Sequence, residues 1–451
     1  MENILYAGYG RQDITPDFSV PLAGYGVTHK RMSTNVLSNL FATCIAFSWG
    51  EEKLLLFTED LIRSTPAWVT AVRSSVSEKT GVPENRIMIC ATHTHSAPDP
   101  FSDLDCIQKD YLPTYVRAMT AAAQEALADL APASLYGTST QTEKMNFVRH
   151  YLLENGTYAG PNFGDFRSAP IVDHAAPNDP QLLIMKLERQ EKPSILLVNF
   201  QVHPTATGGN ARTDVSADFV GVTRDNLEAS TGMHFAYFTG AAGNQVLGTR
   251  IPEECDGQTS AQNRSFGGTH YMIYGWRLAQ DVLWALPELK KMNTGPICLE
   301  TVQFEHPVNH DDAQLYDEAV KVRQILSETD RTTANRYAKE HGISSIYHAA
   351  AIVSRRTRPE TSTMELNAVR IGDMTFVTMP YEAFAAHGMY VKAHSPFPMT
   401  MVFSCANGGY NYIPTREAYE YGCYESFTSI FAKGTGEDAA EKLVQMLNSL
   451  Q

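Results

Sequence analysis

The segment Ala91-Thr92-His93-Thr94-His95-Ser96 follows an apolar run, Arg86-Ile87-Met88-Ile89-Cys90, that reads as a buried strand. Side chains alternate along a strand, so His93 and His95 would project to one side of it. Two imidazoles at a strand exit suit metal binding or proton transfer. A second apolar strand, Leu197–Phe200, runs on to His203, and Pro204 closes it. A third imidazole at another strand end favours convergence on one metal, because α/β proteins place their sites at strand ends. Thr378-Met379-Pro380-Tyr381-Glu382 leads a strand through proline toward a helix. Glu382 there is either a helix-start carboxylate or an oxygen ligand beside the histidines. The Gly-rich stretch Ala406–Thr415 carries Tyr410 and Tyr412 and is followed by Tyr419, Tyr421 and Tyr424. These tyrosines serve packing, substrate or metal. In Asp214-Val215-Ser216-Ala217-Asp218-Phe219, Ser216 reads as a helix N-cap and Asp218 as a first-turn carboxylate that complements the helix dipole. Phe238-Thr239-Gly240-Ala241-Ala242-Gly243-Asn244-Gln245 reads as a strand ending in a tight turn or a ligand loop. It fits neither GxGxxG nor GxxxxGK[ST], so it is no nucleotide fingerprint.

These residues need strands and helices to hold them. Strand-like runs fall near 4–9, 39–48, 53–58, 86–92, 133–139, 181–188, 193–202, 234–239, 297–305, 346–354, 363–370, 373–378 and 399–404. Gly372-Asp373 suits a primed hairpin turn. A helix is expected over 66–80, from a Thr65-Pro66 start to Gly81, burying Trp68, Val72 and Val76. Others are expected over 110–129, after Ser216, over 265–286 and over 437–450, the last burying Ala440, Leu443, Val444 and Leu447. Polar residues 311–341 suggest an outer helical hairpin. Segments 140–180 and 245–262 look irregular, as loops over an active site do. Strands alternating with helices imply an α/β fold: a mixed sheet flanked by helices, in one domain over 1–451.

Composition narrows the partners. The 451 residues are 43% hydrophobic and 19% charged, with a formal charge of −14. That acidity disfavours nucleic acid and anionic membrane surfaces, which bind concentrated basic patches. No window approaches 18 uninterrupted apolar residues, which argues against membrane insertion. Met1–Ala7 lacks the basic start and apolar core of a signal peptide. A cytoplasmic protein is expected on that ground, although a trimmed signal would leave the same appearance. Seven scattered cysteines without CxxC argue against a disulfide framework or a zinc knuckle. Cys90, Cys298 and Cys405 lie in apolar runs and read as small core residues.

The ordered set AGYGRQDITP, GYG, TED, ATHTHSAPD, NFVR, VHP, SADF, GAAGNQ, MPYE and NYIPTREAYEYGCYE resembles the catalytic domain of the neutral (non-lysosomal) ceramidase family, without its C-terminal immunoglobulin-like domain. The order and spacing carry the resemblance, from Tyr6 to about Ser426. It implies an α/β domain holding one zinc ion per chain and hydrolysing an amide. It implies His93, His203, Glu382 and Tyr412 as zinc ligands and His95 as proton carrier. Tyr424 would bind the scissile carbonyl and Arg149 would face the polar end of the substrate. Zinc would lower the pKa of its water toward ~7 for attack on the amide carbon. Asp60 is a candidate to orient an imidazole. The family's Gly-Asp-x-Ser-Pro-like segment is replaced by Gly240–Gln245, with no serine, which disfavours an acyl-serine route. The substrate implied is an N-acyl amine, with ceramide one candidate. An ester or lactone hydrolase, a non-catalytic homologue, and iron or manganese in place of zinc are the alternatives.

Overall fold

The computed structural model describes residues 4–25, 31–207, 212–254, 270–409 and 411–451. A nine-stranded mixed sheet runs through the chain. Its path is His234–Thr239, Ile195–Phe200, Gln181–Arg189, Ala131–Gln141, Leu5–Asp13, Phe41–Trp49, Glu52–Glu59 and Ile87–Ala91, with Lys290–Met292 also paired to Ala131–Gln141. The first and last pairs on this path are parallel, and the pairs between them are antiparallel. A second sheet has the order Ile297–Pro307, Thr361–Ile371, Met374–Thr378, Thr400–Phe403.

Period-two patterning sorts the side chains into layers. On the strand Glu52–Glu59, Leu55 and Phe57 pack with the helices Pro66–Thr80 and Leu112–Ala128. Leu54 and Leu56 turn the other way and pack with Ile371, Phe376 and Phe403 of the second sheet. Behind that sheet lie the helices Ala385–His394 and Thr435–Ser449. The architecture is helices, sheet, sheet, helices, which satisfies the expected α/β class with a flanked mixed sheet. Gly8 and Gly10 let Leu112–Ala128 lie directly on its strand. A Cβ at either would fall 1.9 Å from the Ala126 carbonyl oxygen or 2.2 Å from that of Ala122.

The main sheet curls until its end strands meet. The Thr239 hydroxyl donates to the Thr92 carbonyl at 2.7 Å, and Thr58 donates to the Tyr237 carbonyl. This closure brings the chain leaving Ile87–Ala91 beside the chain leaving Ile195–Phe200, and so brings His93 toward His203.

Most expected elements form. Gly372, with φ +61°, turns the hairpin between Ile371 and Met374. The outer hairpin is Tyr316–Glu328 and Arg331–Glu340. The expected strand at 346–354 is instead the helix Ile346–Arg355. The Ser345 side chain caps it, and Ile346, Ala349 and Ile352 bury one face at helical spacing. A short apolar run does not by itself distinguish strand from helix. The helix after Ser216 is Asp218–Thr231 and its N-cap is Ala217, one residue later than expected. Ser216 instead accepts the Asp218 N–H at 3.0 Å. The helix His270–Ala285 matches the expected 265–286 within the described residues; 265–269 lie outside them. Val444 and Cys298 are half-buried rather than core. Segment 140–180 contains a small sheet of Tyr151–Leu153, Tyr158–Ala159 and Ile171–His174. Among the described residues no helix is long and apolar enough to cross a membrane.

Candidate metal centre

The strand carrying the Thr-His repeat ends at Ala91, and His93 adopts φ +71°. His93 and His95 are therefore not same-side residues of a strand, as their spacing suggested. A left-handed residue bends the chain, and the two rings meet at a 5.0 Å centroid distance with Nε2 atoms 3.4 Å apart. His93 is anchored by backbone: its N–H donates to the Leu61 carbonyl at 2.9 Å and its Nδ1–H to the Ile62 carbonyl at 2.7 Å. His203 is anchored likewise. Its Nδ1–H donates to the Ala242 carbonyl at 2.7 Å and lies 3.1 Å from the Gln245 carbonyl. The Gly-rich turn after Thr239, read from sequence as a tight turn or a ligand loop, thus presents carbonyls to an imidazole.

Glu382 comes from the far side. Glu382–Ala383 pairs in parallel with Tyr412–Ile413, and Glu382 is the register partner of Tyr412. The tyrosine loop is tied in turn to the edge strand before His93. The Asn407 N–H donates to the Ile89 carbonyl at 2.7 Å, and Asn407 Oδ1 accepts the Ile89 N–H at 2.8 Å.

Glu382 Oε2 lies 3.3 Å from His93 Nε2 and 3.3 Å from His203 Nε2. Glu382 Oε2 and His203 Nε2 are buried without a hydrogen-bond partner. Because each Nδ1 carries its proton to a carbonyl, each neutral imidazole turns a lone pair toward the carboxylate. Such an arrangement is repulsive unless a proton or a cation lies between. Ligand atoms about 2.0–2.1 Å from a tetrahedral zinc stand roughly 3.3 Å apart, so these spacings fit that ion. His93, His95 and His203 also form a group whose nitrogens all lie within 4.8 Å of one another.

Burial and charge set the protonation states. Burial would raise Glu382, but a charge on His93, the close imidazoles of His203 and His93, and Arg63 hold it well below the usual carboxylate range. Burial lowers His203 to about 4 despite Glu382. Burial and the neighbouring imidazoles hold His95 well below its ordinary value. His93 is the exception: against its burial, the Cys405 thiol and Glu382 push it up to about 10. Without a metal, a proton on His93 is thus what offsets Glu382.

The Tyr412 ring lies 6.4 Å from the His203 ring and 5.9 Å from that of Tyr424. Burial raises the Tyr412 phenol well above its ordinary value, and Glu382 adds to this. The Arg149 guanidinium stands over the Tyr412 ring at 5.4 Å. It donates through Nε to Glu425 Oε1 at 2.7 Å and through Nη2 to the Gly243 carbonyl at 3.0 Å. All seven residues singled out from sequence therefore gather within one neighbourhood. Tyr419 bonds to the Phe431 carbonyl and Tyr421 to His150, while Tyr410 lies outside the described residues.

Asp60 does not orient an imidazole. It accepts from Arg224 Nη1 at 2.8 Å and from the Phe41 N–H at 2.9 Å, and carbonyls do the orienting. Asp218, with φ +55°, accepts the Ala206 and Thr207 N–H groups and so ties down the loop after His203. Sequence reasoning missed Arg63, whose Nη1 lies 2.6 Å from Glu382 Oε1. It also missed Glu425, which accepts from both Arg149 and His150. An arginine just past the buried Glu59-Asp60 pair was the available signal for the first. A second His/Cys/Glu group, His150, Cys423 and Glu425, is internally satisfied: His150 bonds Glu425 at 2.8 Å through Nε2 and the Tyr421 hydroxyl at 2.8 Å through Nδ1. Of the nine left-handed non-glycine residues among those described, His93 lies in the centre, Tyr25 and Cys405 touch its histidines, and Asp218 and Asn407 tie down segments that border it. Strain of this kind, of order 1–3 kcal/mol per residue, collects at functional sites.

No protein-family model matches the chain, and no curated protein matches it. Solved structures do, among them two ceramidases. The crystal structure of neutral ceramidase from Pseudomonas aeruginosa aligns with a TM-score of 0.72 at 17% identity, covering 100% of this chain and 75% of that one. A ceramidase complexed with C2 aligns with a TM-score of 0.71 at 18% identity and the same coverage. The chain has the neutral ceramidase fold.

Proposed function

We propose that this protein is a zinc-dependent hydrolase that cleaves the amide bond of an N-acyl amine. The observation that carries the reading is the convergence of His93 Nε2, His203 Nε2 and Glu382 Oε2, with 3.3 Å from the carboxylate oxygen to each nitrogen. Two imidazoles and one carboxylate are a ligand set of catalytic zinc, and Tyr412 is the fourth protein ligand in this reading. Bound there, zinc supplies a Lewis acid that activates water and polarises the amide carbonyl. The ceramidase likeness of the fold and the motif order support the amide as the bond cleaved.

The side chains have separate tasks. His95, neutral at neutral pH, takes a proton at Nε2 from the attacking water and passes it to the departing amine. The Tyr424 hydroxyl donates to the oxygen of the scissile carbonyl as negative charge grows there. Arg149 holds the polar end of the substrate beside Tyr412. Phe101, 48% exposed and packed against Arg63, offers an apolar surface at the edge of the centre for the acyl chain. The substrate is a small molecule, ceramide among its candidates, met at a single zinc site.

The test is turnover of zinc-loaded protein on amides and esters matched in acyl chain. Release of amine from the amides supports the reading. Turnover of esters or lactones alone replaces it with the ester hydrolase, and bound zinc without turnover of either identifies a non-catalytic homologue.

A further inference from the structure

The two oxygens of Glu382 face different groups. Oε2 faces the imidazoles, and Oε1 accepts from Arg63 Nη1 at 2.6 Å. Arg63 directly follows Leu61 and Ile62, whose carbonyls take the His93 N–H and Nδ1–H. Three consecutive residues therefore hold the imidazole of His93 and a carboxylate 319 positions from Arg63.

We propose that Leu61–Arg63 is a clamp for the metal centre, and that Arg63 is the positioning residue that presents Glu382 through one oxygen. This rests on the reading of Glu382 as a metal ligand. The guanidinium is itself held in place. Its carbon lies 4.8 Å from the centroid of the Phe101 ring, and Gly409 closes over both. A Cβ at position 409 would stand 2.8 Å from the Ser64 carbonyl oxygen, 2.9 Å from Phe101 Cζ and 3.3 Å from Arg63 Cδ. A planar, stacked guanidinium restrains a carboxylate in direction as well as distance, whereas a lysine ammonium acts as a point charge on a flexible stem. Glu382 is buried and Arg63 mostly so, with side-chain exposures of 6% and 19%, so water is a poor substitute for either partner. With Oε1 occupied, Glu382 is kept from turning both oxygens onto the ion, and a coordination position stays open for water and substrate.

Charge and orientation would act together in a neutral variant. Removing a cation favours a bound dication, while freeing the carboxylate disfavours it. Arg63→Lys separates them, because it keeps the charge and removes the fork. Phe101→Ala removes the stack and leaves Arg63 in place, at a half-exposed position that the fold does not depend on. The probe is Co2+, added to metal-free wild type and both variants. The readouts are the dissociation constant by chelator competition, the visible d–d spectrum and the thermal midpoint of the metal-free protein.

The clamp predicts that Arg63→Lys weakens Co2+ binding about 10- to 100-fold, the usual cost of losing a ligand's supporting partner. It also predicts a weaker d–d band as Glu382 adds its second oxygen and the coordination number rises, a smaller shift of the same kind in Phe101→Ala, and little change in the metal-free midpoint. Wild-type affinity and spectrum in Arg63→Lys overturn the clamp and leave the centre standing. A wild type that binds no Co2+ overturns the centre itself, and the clamp with it.

Discussion

Glu59 provides a prediction whose size follows from its surroundings. It ends the strand Glu52–Glu59, two residues before the clamp, and its carbonyl accepts the Thr92 N–H at 2.8 Å. Its side chain is fully buried. Oε1 accepts from Ser64 at 2.7 Å and Oε2 from the Tyr115 hydroxyl. Burial raises the carboxyl from 4.5 to about 7, with the two hydroxyl bonds holding it back and Asp60 adding to the rise. The folded protein therefore binds a proton more tightly here than the unfolded chain does. The resulting stability is fully present below about pH 4.5 and is lost as pH rises through about 7. A rise of roughly 2.5 units at 1.36 kcal/mol each makes the loss about 3 kcal/mol. Glu59→Gln keeps the shape and cannot ionise, and its amide can donate to the Tyr115 oxygen while Tyr115 donates to Ser64. Urea unfolding of both proteins at pH 5 and pH 8.5 gives two stability differences, from which titrations common to both proteins cancel. The variant should gain about 2–3 kcal/mol on wild type between the two pH values. A difference between the proteins that does not change with pH refutes the argument.

Other consequences are as direct. Glu425→Ala leaves Arg149 and His150 buried without their shared carboxylate and should cost about 3–5 kcal/mol in denaturant unfolding; a loss below about 1 kcal/mol would mean that water replaces it. His95→Ala should keep its metal by elemental analysis and lose amide turnover; loss of the metal would make His95 a ligand. Ser345→Ala removes the cap of Ile346–Arg355 and should cost about 1 kcal/mol, read as a lower thermal midpoint; an unchanged midpoint would contradict the cap.

The site was legible in the sequence to an uneven degree. His93, His203 and Glu382 announce themselves because each ends an apolar run, and strand ends are where backbone leaves the sheet and side chains reach open space. The mechanism of convergence was not legible. The period-two argument for His93 and His95 failed at one left-handed residue, and no local pattern reports that φ. The curling of the sheet depends on pairings between segments more than 100 residues apart, such as Thr58 with Tyr237. Arg63 and Glu425 stayed hidden for the same reason: their partners, Glu382 and Arg149, are near in space and distant in sequence. The helix at 346–355 was misread because Ile-Tyr-His-Ala-Ala-Ala-Ile-Val carries β-branched residues at both ends, whereas its Ser345 cap and central alanines favour a helix. At the next helix the boundary shifts by one residue to Ala217, while the Ser216 hydroxyl still accepts the Asp218 N–H as a capping side chain does.

The central claim is that His93, His203, Glu382 and Tyr412 hold one zinc ion. The most direct test is elemental analysis of wild type and His203→Ala, both purified without chelator and then offered zinc. About one zinc per chain is expected in the wild type and almost none in the variant. Equal zinc in the two proteins, or none in the wild type, would contradict it.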